Sequence, residues 1–272
     1  DEVKMVAIDH PIGSEVFVDE RFVAPVPPTY KLYTYDEVRE PVGAIDQNGK
    51  DVLEVILGRD GNRLGGFAKG PYQGIGEDHY VELDLGQLDN SNIDLIAQGW
   101  IRPTDTSINI ASSQNKNAPI PSGLRIEVPD GNGGWKVVIP NGGFPAGKLK
   151  TCIFEIPVGS FTKNDYRVRI ATNLEVYWDA ISFAAKNKNI AVTEVPIALQ
   201  SADLGYMGYP VMSRTNDEAP NIPNYNDIRH GNAWRDLEGF YTRYGAAEDL
   251  LSGVDDRYVI MNAGDAMYLQ FD

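Results

Sequence analysis

Hydrophobic and polar residues alternate with a period of two through most of the first 185 positions. Residues 165–184 show it best. Val168 and Ile170 face one way and Arg167 and Arg169 the other, and after a polar break at 171–173, Leu174, Val176 and Trp178 alternate against Glu175, Tyr177 and Asp179. Period-two alternation is the signature of a strand with one face in a core and one in solvent. Residues 79–86 and 92–101 alternate in the same way, and 150–156 reads as a further strand. Leu124-Arg-Ile-Glu-Val128 and Trp135-Lys-Val-Val-Ile139 flank Pro129-Asp-Gly-Asn-Gly-Gly134, which predicts a β-hairpin.

Toward the start, strands are expected at 3–8, 15–18, 21–23 and 31–35, forming a small meander. Pro25-Val-Pro-Pro28 cannot sit in a central strand and predicts a bend. Residues 52–57 fit either a short helix or a strand. Beyond 184 the pattern loosens. One more strand is expected at 191–199, and then a stretch to 236 dominated by Gly, Pro, Asn, Tyr and charged residues. A short helix at 246–251 and strands at 257–261 and 266–271 follow.

Together these elements predict an all-β chain. An antiparallel β-sandwich of the jelly-roll type spans 41–185, with an N-terminal β meander over 1–40. A loop-rich β segment covers 186–272, and its last strand reads as interrupted, as in a longer native protein. Of the 272 residues 42% are apolar, enough for a sizeable core. The 27 glycines and 17 prolines fit short strands joined by many turns.

The formal net charge of −15 excludes the clustered positive surface that nucleic acid or an anionic membrane requires. No apolar run approaches the roughly 20 residues of a spanning helix, so membrane insertion is not expected. The single cysteine, Cys152, excludes an internal disulfide and reads as a small core hydrophobe.

Several segments, in order, carry a resemblance. They are Asp9-His-Pro11, Val16-Phe-Val-Asp-Glu-Arg-Phe-Val23, Pro71-Tyr-Gln-Gly74, Leu83-Asp-Leu-Gly86, Gly143-Phe-Pro-Ala-Gly-Lys148, Thr172-Asn-Leu-Glu-Val-Tyr-Trp-Asp179, Tyr241-Thr-Arg-Tyr-Gly245 and Asp255-Asp-Arg-Tyr-Val-Ile260. This set resembles the C-terminal region of large bacterial proteins with FG-GAP or tetratricopeptide repeats upstream, similar to the ASPIC/UnbV class. The resemblance implies an exported protein, extracellular, periplasmic or on the cell surface, and no catalytic residue. Tyr80-Val-Glu-Leu-Asp-Leu-Gly86 is also similar to the opening strand of galactose-binding-like jelly rolls, whose closing strand, here with Trp178-Asp179, would pair near it.

Catalytic motifs are scarce. His10, His79 and His230 lack metal-ligand spacing, and neither a Gly-x-Ser-x-Gly elbow nor a phosphate loop occurs. Asp46-Gln-Asn-Gly-Lys-Asp51 puts oxygen donors at Asp46, Asn48 and Asp51, in the manner of a calcium loop, but lacks the trailing Glu of an EF-hand. The competing reading is an Asx turn capping backbone amides. Glu82 with Asp84, and Glu175 with Asp179, are carboxylate pairs of the kind a glycan-cleaving hydrolase uses. A solvated sheet face looks the same.

Aromatic residues beside amides and acids give the best binding signal: Tyr72 with Gln73, Trp100 with Arg102, Tyr177-Trp178-Asp179, and Tyr206, Tyr209 and Tyr225 among asparagines. The tryptophans also suit a sandwich core. The glycine-rich loop 58–76 contains Leu64, Phe67, Tyr72 and Ile75, so it is expected to pack against the sandwich, with Tyr72 buried and Gln73 bonding backbone groups. The leading functional expectation is a non-catalytic module that binds a glycan or a partner protein. A hydrolase and an accessory subunit of a surface assembly are the alternatives.

Overall fold

The computed structural model describes residues 1–24, 30–88, 91–162, 164–185, 190–231 and 238–272. The bend expected at 25–28 lies outside the described residues. Along the chain the strands are β1 (Met5–Asp9), β2 (Glu15–Val18), β3 (Arg21–Phe22), β4 (Leu32–Tyr35), β5 (Gly43–Asp46), β6 (Ile75–Asp84), β7 (Ile93–Ile101), β8 (Arg125–Pro129), β9 (Trp135–Ile139), β10 (Phe144–Pro145) and β11 (Lys150–Ile156). They continue with β12 (Arg167–Leu174), β13 (Val176–Ala185), β14 (Thr193–Ile197), β15 (Leu199–Tyr206), β16 (Tyr209–Ser213), β17 (Ile222–Arg229), β18 (Gly245–Ala246) and β19 (Asp265–Phe271). Helices α1 (Leu53–Ile56) and α2 (Thr106–Gln114) are short. Strand makes up 46% of the structure and helix 7%, so the fold is all-β.

The chain forms two compact units. One comprises Ile12–Ala191 with Thr215–Pro220, the other Asp1–Pro11, Val192–Arg214 and Asn221–Asp272. The larger unit is an antiparallel sandwich of a five-stranded sheet, β5-β6-β12-β8-β9, and a three-stranded sheet, β11-β7-β13. Their inner faces share one core. Val81, Leu83, Ile126, Val168 and Ile170 come from the first sheet, and Leu95, Ala97, Phe154, Trp178 and Phe183 from the second. Cys152 is fully buried in that core, and burial pushes its thiol far above the ordinary range. The hairpin at 124–139 forms as expected, with Glu127 opposite Val137 and Pro129 opposite Trp135.

The three-stranded sheet is covered on its outer face too. There β2 pairs with β4, and Phe17, Tyr33 and Tyr35 pack on Ile96, Ile153 and Ala184. A strand buried on both faces loses its solvent side, which corrects the expectation for 165–184. The break between the two strands falls at Glu175 rather than at 171–173, and the chain changes sheets there, from β12 to β13. Glu175, Tyr177 and Asp179 are buried rather than solvated. Strand β13 pairs with β7, while the neighbours of β6 are β5 and β12, so Trp178 and Asp179 belong to the opposite sheet and do not pair with residues 80–86.

The outer face of the five-stranded sheet carries a polar ladder. Glu82, 6% exposed, accepts from Arg167 Nη1 at 3.0 Å and from Arg169 Nε and Nη2 at 2.9 and 2.8 Å. The Arg169 guanidinium lies 3.8 Å from the Tyr80 ring centroid and 3.9 Å from that of Trp135. The Arg167/Arg169 side of the alternation is thus a self-satisfied network. Asp84, also on β6, is exposed and caps Gly86 N.

In the smaller unit β1 pairs with β14 rather than continuing the meander, and β15 lies between β18 and β19. Within the loop-rich β segment, the stretch from 201 dominated by Gly, Pro, Asn, Tyr and charged residues contains most of β15 and all of β16 and β17. Conversely, 257–261 forms no strand, and the helix expected at 246–251 is a single 3-10 turn, Glu248–Leu250. No helix among the described residues is long and apolar enough to cross a membrane.

Candidate functional site

Strand β7 presents Ile93, Leu95, Ala97 and Ile101 to the sandwich core, which leaves Asp94, Ile96, Gln98 and Trp100 on the outer face. The β2–β4 pair covers the Ile96 end, where Tyr35 Oη donates to Asp94 Oδ2 at 2.9 Å. At the opposite end Trp100 pairs in register with Tyr177 of β13, and the two rings stack at 5.1 Å and 15°. Phe67 of the glycine-rich loop packs on Tyr177 at 5.3 Å, and His79 stacks on Phe67 at 4.0 Å. Four rings from four segments thus line up at this end.

The loop 58–76 is stitched to this end as its apolar content requires. Leu64 N donates to Trp178 O at 2.7 Å and Trp178 N donates back to Leu64 O at 3.3 Å. Phe67 and Ile75 are buried. Tyr72 is half-buried, not buried. The loop turns outward there, and the Tyr72 hydroxyl accepts from Asn115 Nδ2 at 3.1 Å, just past α2. Gln73 does bond backbone, donating from Nε2 to Pro103 O at 2.8 Å. At Gly74 φ is +85°, and a Cβ would meet Arg102 O and Thr104 N at 2.9 Å, so a side chain fits neither the angle nor the space.

Glu175 locks the loop to the sheets. It is 2% exposed, accepts from Gly74 N at 3.0 Å through Oε1 and from Tyr177 Oη at 3.3 Å through Oε2, and lies 3.9 Å from Arg102 Nη1. Burial first, then the Glu175 charge, pushes the Tyr177 phenol well above its ordinary range. Asp179 accepts from Gly61 N at 3.1 Å and sits 3.9 Å from Arg63 Nη2, and burial raises its carboxyl above the usual range. His79 donates from Nδ1 to Glu77 O at 2.9 Å, and burial lowers its imidazole.

A small cavity lies beneath the loop, bounded by Asp46, Leu64, Phe67, His79, Thr172 and Trp178. Its volume of about 10 Å³ has room for about one water and none for a sugar ring.

Segment Thr215–Pro220 roofs the stack. Trp100 Nε1 donates to Glu218 O at 2.7 Å, and a Cβ at Gly65 would lie 2.5 Å from Glu218 Oε1 and 3.2 Å from the Tyr177 ring. Ala219 and Pro220 are buried. Lys69 Nζ stands 6.0 Å from the Tyr177 ring centroid, and the Arg102 side chain is 42% exposed.

Tyr72, Gln73, Trp100 and Tyr177 are therefore brought to one end of the sandwich, with Asp179 further along β13 under Gly61. Trp100 and Tyr177 form the floor, and Tyr72 and Gln73 the rim. Tyr206, Tyr209 and Tyr225 belong to the smaller unit, where Tyr225 is exposed. Phe67 packs on the sandwich as the apolar content of the loop predicts, and Arg102 lies at the same end as Trp100. The role of Glu218 is the one the sequence does not mark, because nothing near 218 identifies it as a neighbour of Trp100.

The oxygen-rich loop at Asp46 is an Asx turn. Oδ1 of the buried Asp46 accepts from Asn48 N at 2.8 Å and Lys50 N at 2.9 Å, and Asp51 Oδ1 accepts from Leu53 N at 3.0 Å. Asn48 and Asp51 are exposed. Among the described residues no group of three or more His, Cys, Asp or Glu side chains is placed to hold a metal ion.

No family model, curated protein or solved structure matches this chain.

Proposed function

We propose that the chain is a non-catalytic binding module of an exported bacterial protein, which holds a partner protein or a glycan at the Trp100–Tyr177 end of its jelly-roll-like sandwich. The observation that carries the reading is the Trp100–Tyr177 pair itself. Two large aromatics lie on the outer face of the sheet, outside the main core, with the indole N–H spent on a backbone carbonyl from residue 218. Amphipathic aromatics with a polar handle are what recognition surfaces use. Around them the rim offers two cations, Lys69 and Arg102, and the polar side chains of Tyr72 and Asn115. Glu175 and Asp179 serve as anchors for the amides of Gly74 and Gly61, which suits scaffolding rather than a hydrolytic pair.

A glycan array and a panel of cell-envelope proteins, screened in parallel with a glycan-hydrolysis assay, test this. Binding that weakens in the rim variants Lys69→Ala and Tyr72→Ala, with no turnover, is the expected result. Turnover that disappears in Glu175→Gln would overturn the proposal.

A further inference from the structure

We infer that Thr215–Pro220 is a displaceable strap, which fills the binding site as an internal substitute for an acidic, turn-forming peptide of a partner protein. This deepens the binding-module reading and rests on it, because it names what the Trp100–Tyr177 face takes. The contacts of the strap are those of a ligand. A backbone carbonyl, Glu218 O, accepts the Trp100 indole N–H at 2.7 Å. The Glu218 carboxylate lies against Gly65, beside the Tyr177 ring, and its charge acts on the phenol in the opposite sense to that of Arg102. The next two residues, Ala219 and Pro220, are buried, while Thr215, Asn216 and Asp217 are exposed.

Within the strap a turn closes on itself, with Glu218 N donating to Asn216 Oδ1 at 3.0 Å and Ala219 N to Asn216 O at 3.3 Å. None of its residues belongs to the sandwich core or to the Phe67–Trp100–Tyr177 cluster. An element that covers aromatics without sharing their core can leave without unmaking it. Lys69 Nζ stands 6.0 Å from the Tyr177 ring centroid and Arg102 lies by Glu175, so the end of the sandwich that holds the strap also carries two cations. Indole N–H is donor-only and is satisfied by a carbonyl, which a peptide main chain offers at every residue. A glutamate followed by a small apolar residue and proline therefore reproduces what the site already holds.

The test uses the full chain with residues 215–220 replaced by a Gly/Ser segment of equal length, and a synthetic peptide of residues 213–222 as probe. Titration calorimetry is expected to show the peptide binding to the replaced chain and at least about tenfold more weakly to the native chain, whose tethered strap competes at high effective concentration. Trp100→Phe in the replaced chain, or Lys in place of Glu218 in the peptide, is expected to weaken binding about tenfold or more. A replaced chain with native circular dichroism that ignores the peptide overturns the inference. If the replaced chain does not fold, hydrogen exchange of the native Trp100 indole decides. Exchange faster than that of the β7 amides supports a strap that opens, and exchange as slow as theirs overturns it. Binding of an acidic glycan but not the peptide to the replaced chain overturns the ligand class and leaves the binding module standing. Peptide binding, with no envelope protein or glycan recognised by any form of the chain, supports the strap and removes the proposed function.

Discussion

Glu175 is the residue whose loss should be felt most at the site. Its carboxylate is 2% exposed and satisfies Gly74 N–H and Tyr177 O–H, both buried. In Glu175→Ala these donors keep their burial and lose their acceptor, at about 1–3 kcal/mol each, or about 2–6 kcal/mol together. In Glu175→Gln the amide oxygen can still accept from Gly74 and the Tyr177 hydroxyl can turn to accept from the amide nitrogen, so about 1 kcal/mol is expected. Arg102 adds little in either variant, because its guanidinium is solvated and 3.9 Å away. Since the chain has two compact units, a single unfolding free energy is poorly defined. Hydrogen exchange of the amides at 70–77 reads the local opening directly. About 2 kcal/mol corresponds to roughly 30-fold faster exchange in the Ala variant, and Gln should change it by less than about tenfold. If Ala and Gln behave alike, or if the loop amides move by less than about threefold in both, the anchoring role assigned to Glu175 is wrong.

Three further outcomes are expected. The depressed imidazole of His79 is neutral in the folded state and accepts a proton more readily when unfolded, so its contribution is complete above about pH 6.5 and is lost as pH falls through the lower folded value. Protection of the loop that carries Phe67 should therefore drop between pH 7 and 5 in the native chain and less in His79→Phe; the neighbouring charges Glu77, Asp78 and Arg125 remain in both, so equal drops would count against His79. Arg169→Ala should cost about 2–4 kcal/mol, read as faster hydrogen exchange of the β6 and β12 amides, because Glu82 is left buried with only the more exposed Arg167 and the Tyr80 and Trp135 rings lose the plane between them; Arg169→Lys should recover little of it, and full recovery would refute the stacking argument. Asp46→Ala should cost about 1–2 kcal/mol for the two amides it leaves, by the same amount with and without millimolar calcium; a calcium-dependent rise in the native melting temperature that the variant lacks would restore the metal reading.

What could be read from the residues, and what could not, divides along burial. The hairpin of β8 and β9 was legible because its Asp-Gly and Asn-Gly turn chemistry is local and one side of β8 carries Arg125 and Glu127 toward solvent. Strand β13 was legible as a strand but not as an interior one. Its alternation of Val176 and Trp178 with Tyr177 and Asp179 looks the same whether the second face meets water or a covering layer. Here that layer comes from residues 61, 67 and 218; Gly61 N meets the Asp179 carboxylate, and the Tyr177 hydroxyl is taken by Glu175. Helix α2 left a fainter mark, the Asp105 cap that accepts from Ile108 N, in a segment whose weak amphipathicity gave no period to read. The strap left none. Trp100 donates to the backbone oxygen of Glu218, an atom every residue possesses, so the contact that closes the site places no demand on the residue type at 218. Only the Glu218 carboxylate carries type-specific information, and one acid among 39 Asp and Glu residues is indistinguishable from solvated charge until the fold sets it against Gly65 and Tyr177. A site assembled from main-chain acceptors and aromatic faces is thus nearly silent in one sequence, and its chemistry becomes readable only once the sheet has put Trp100 beside Tyr177.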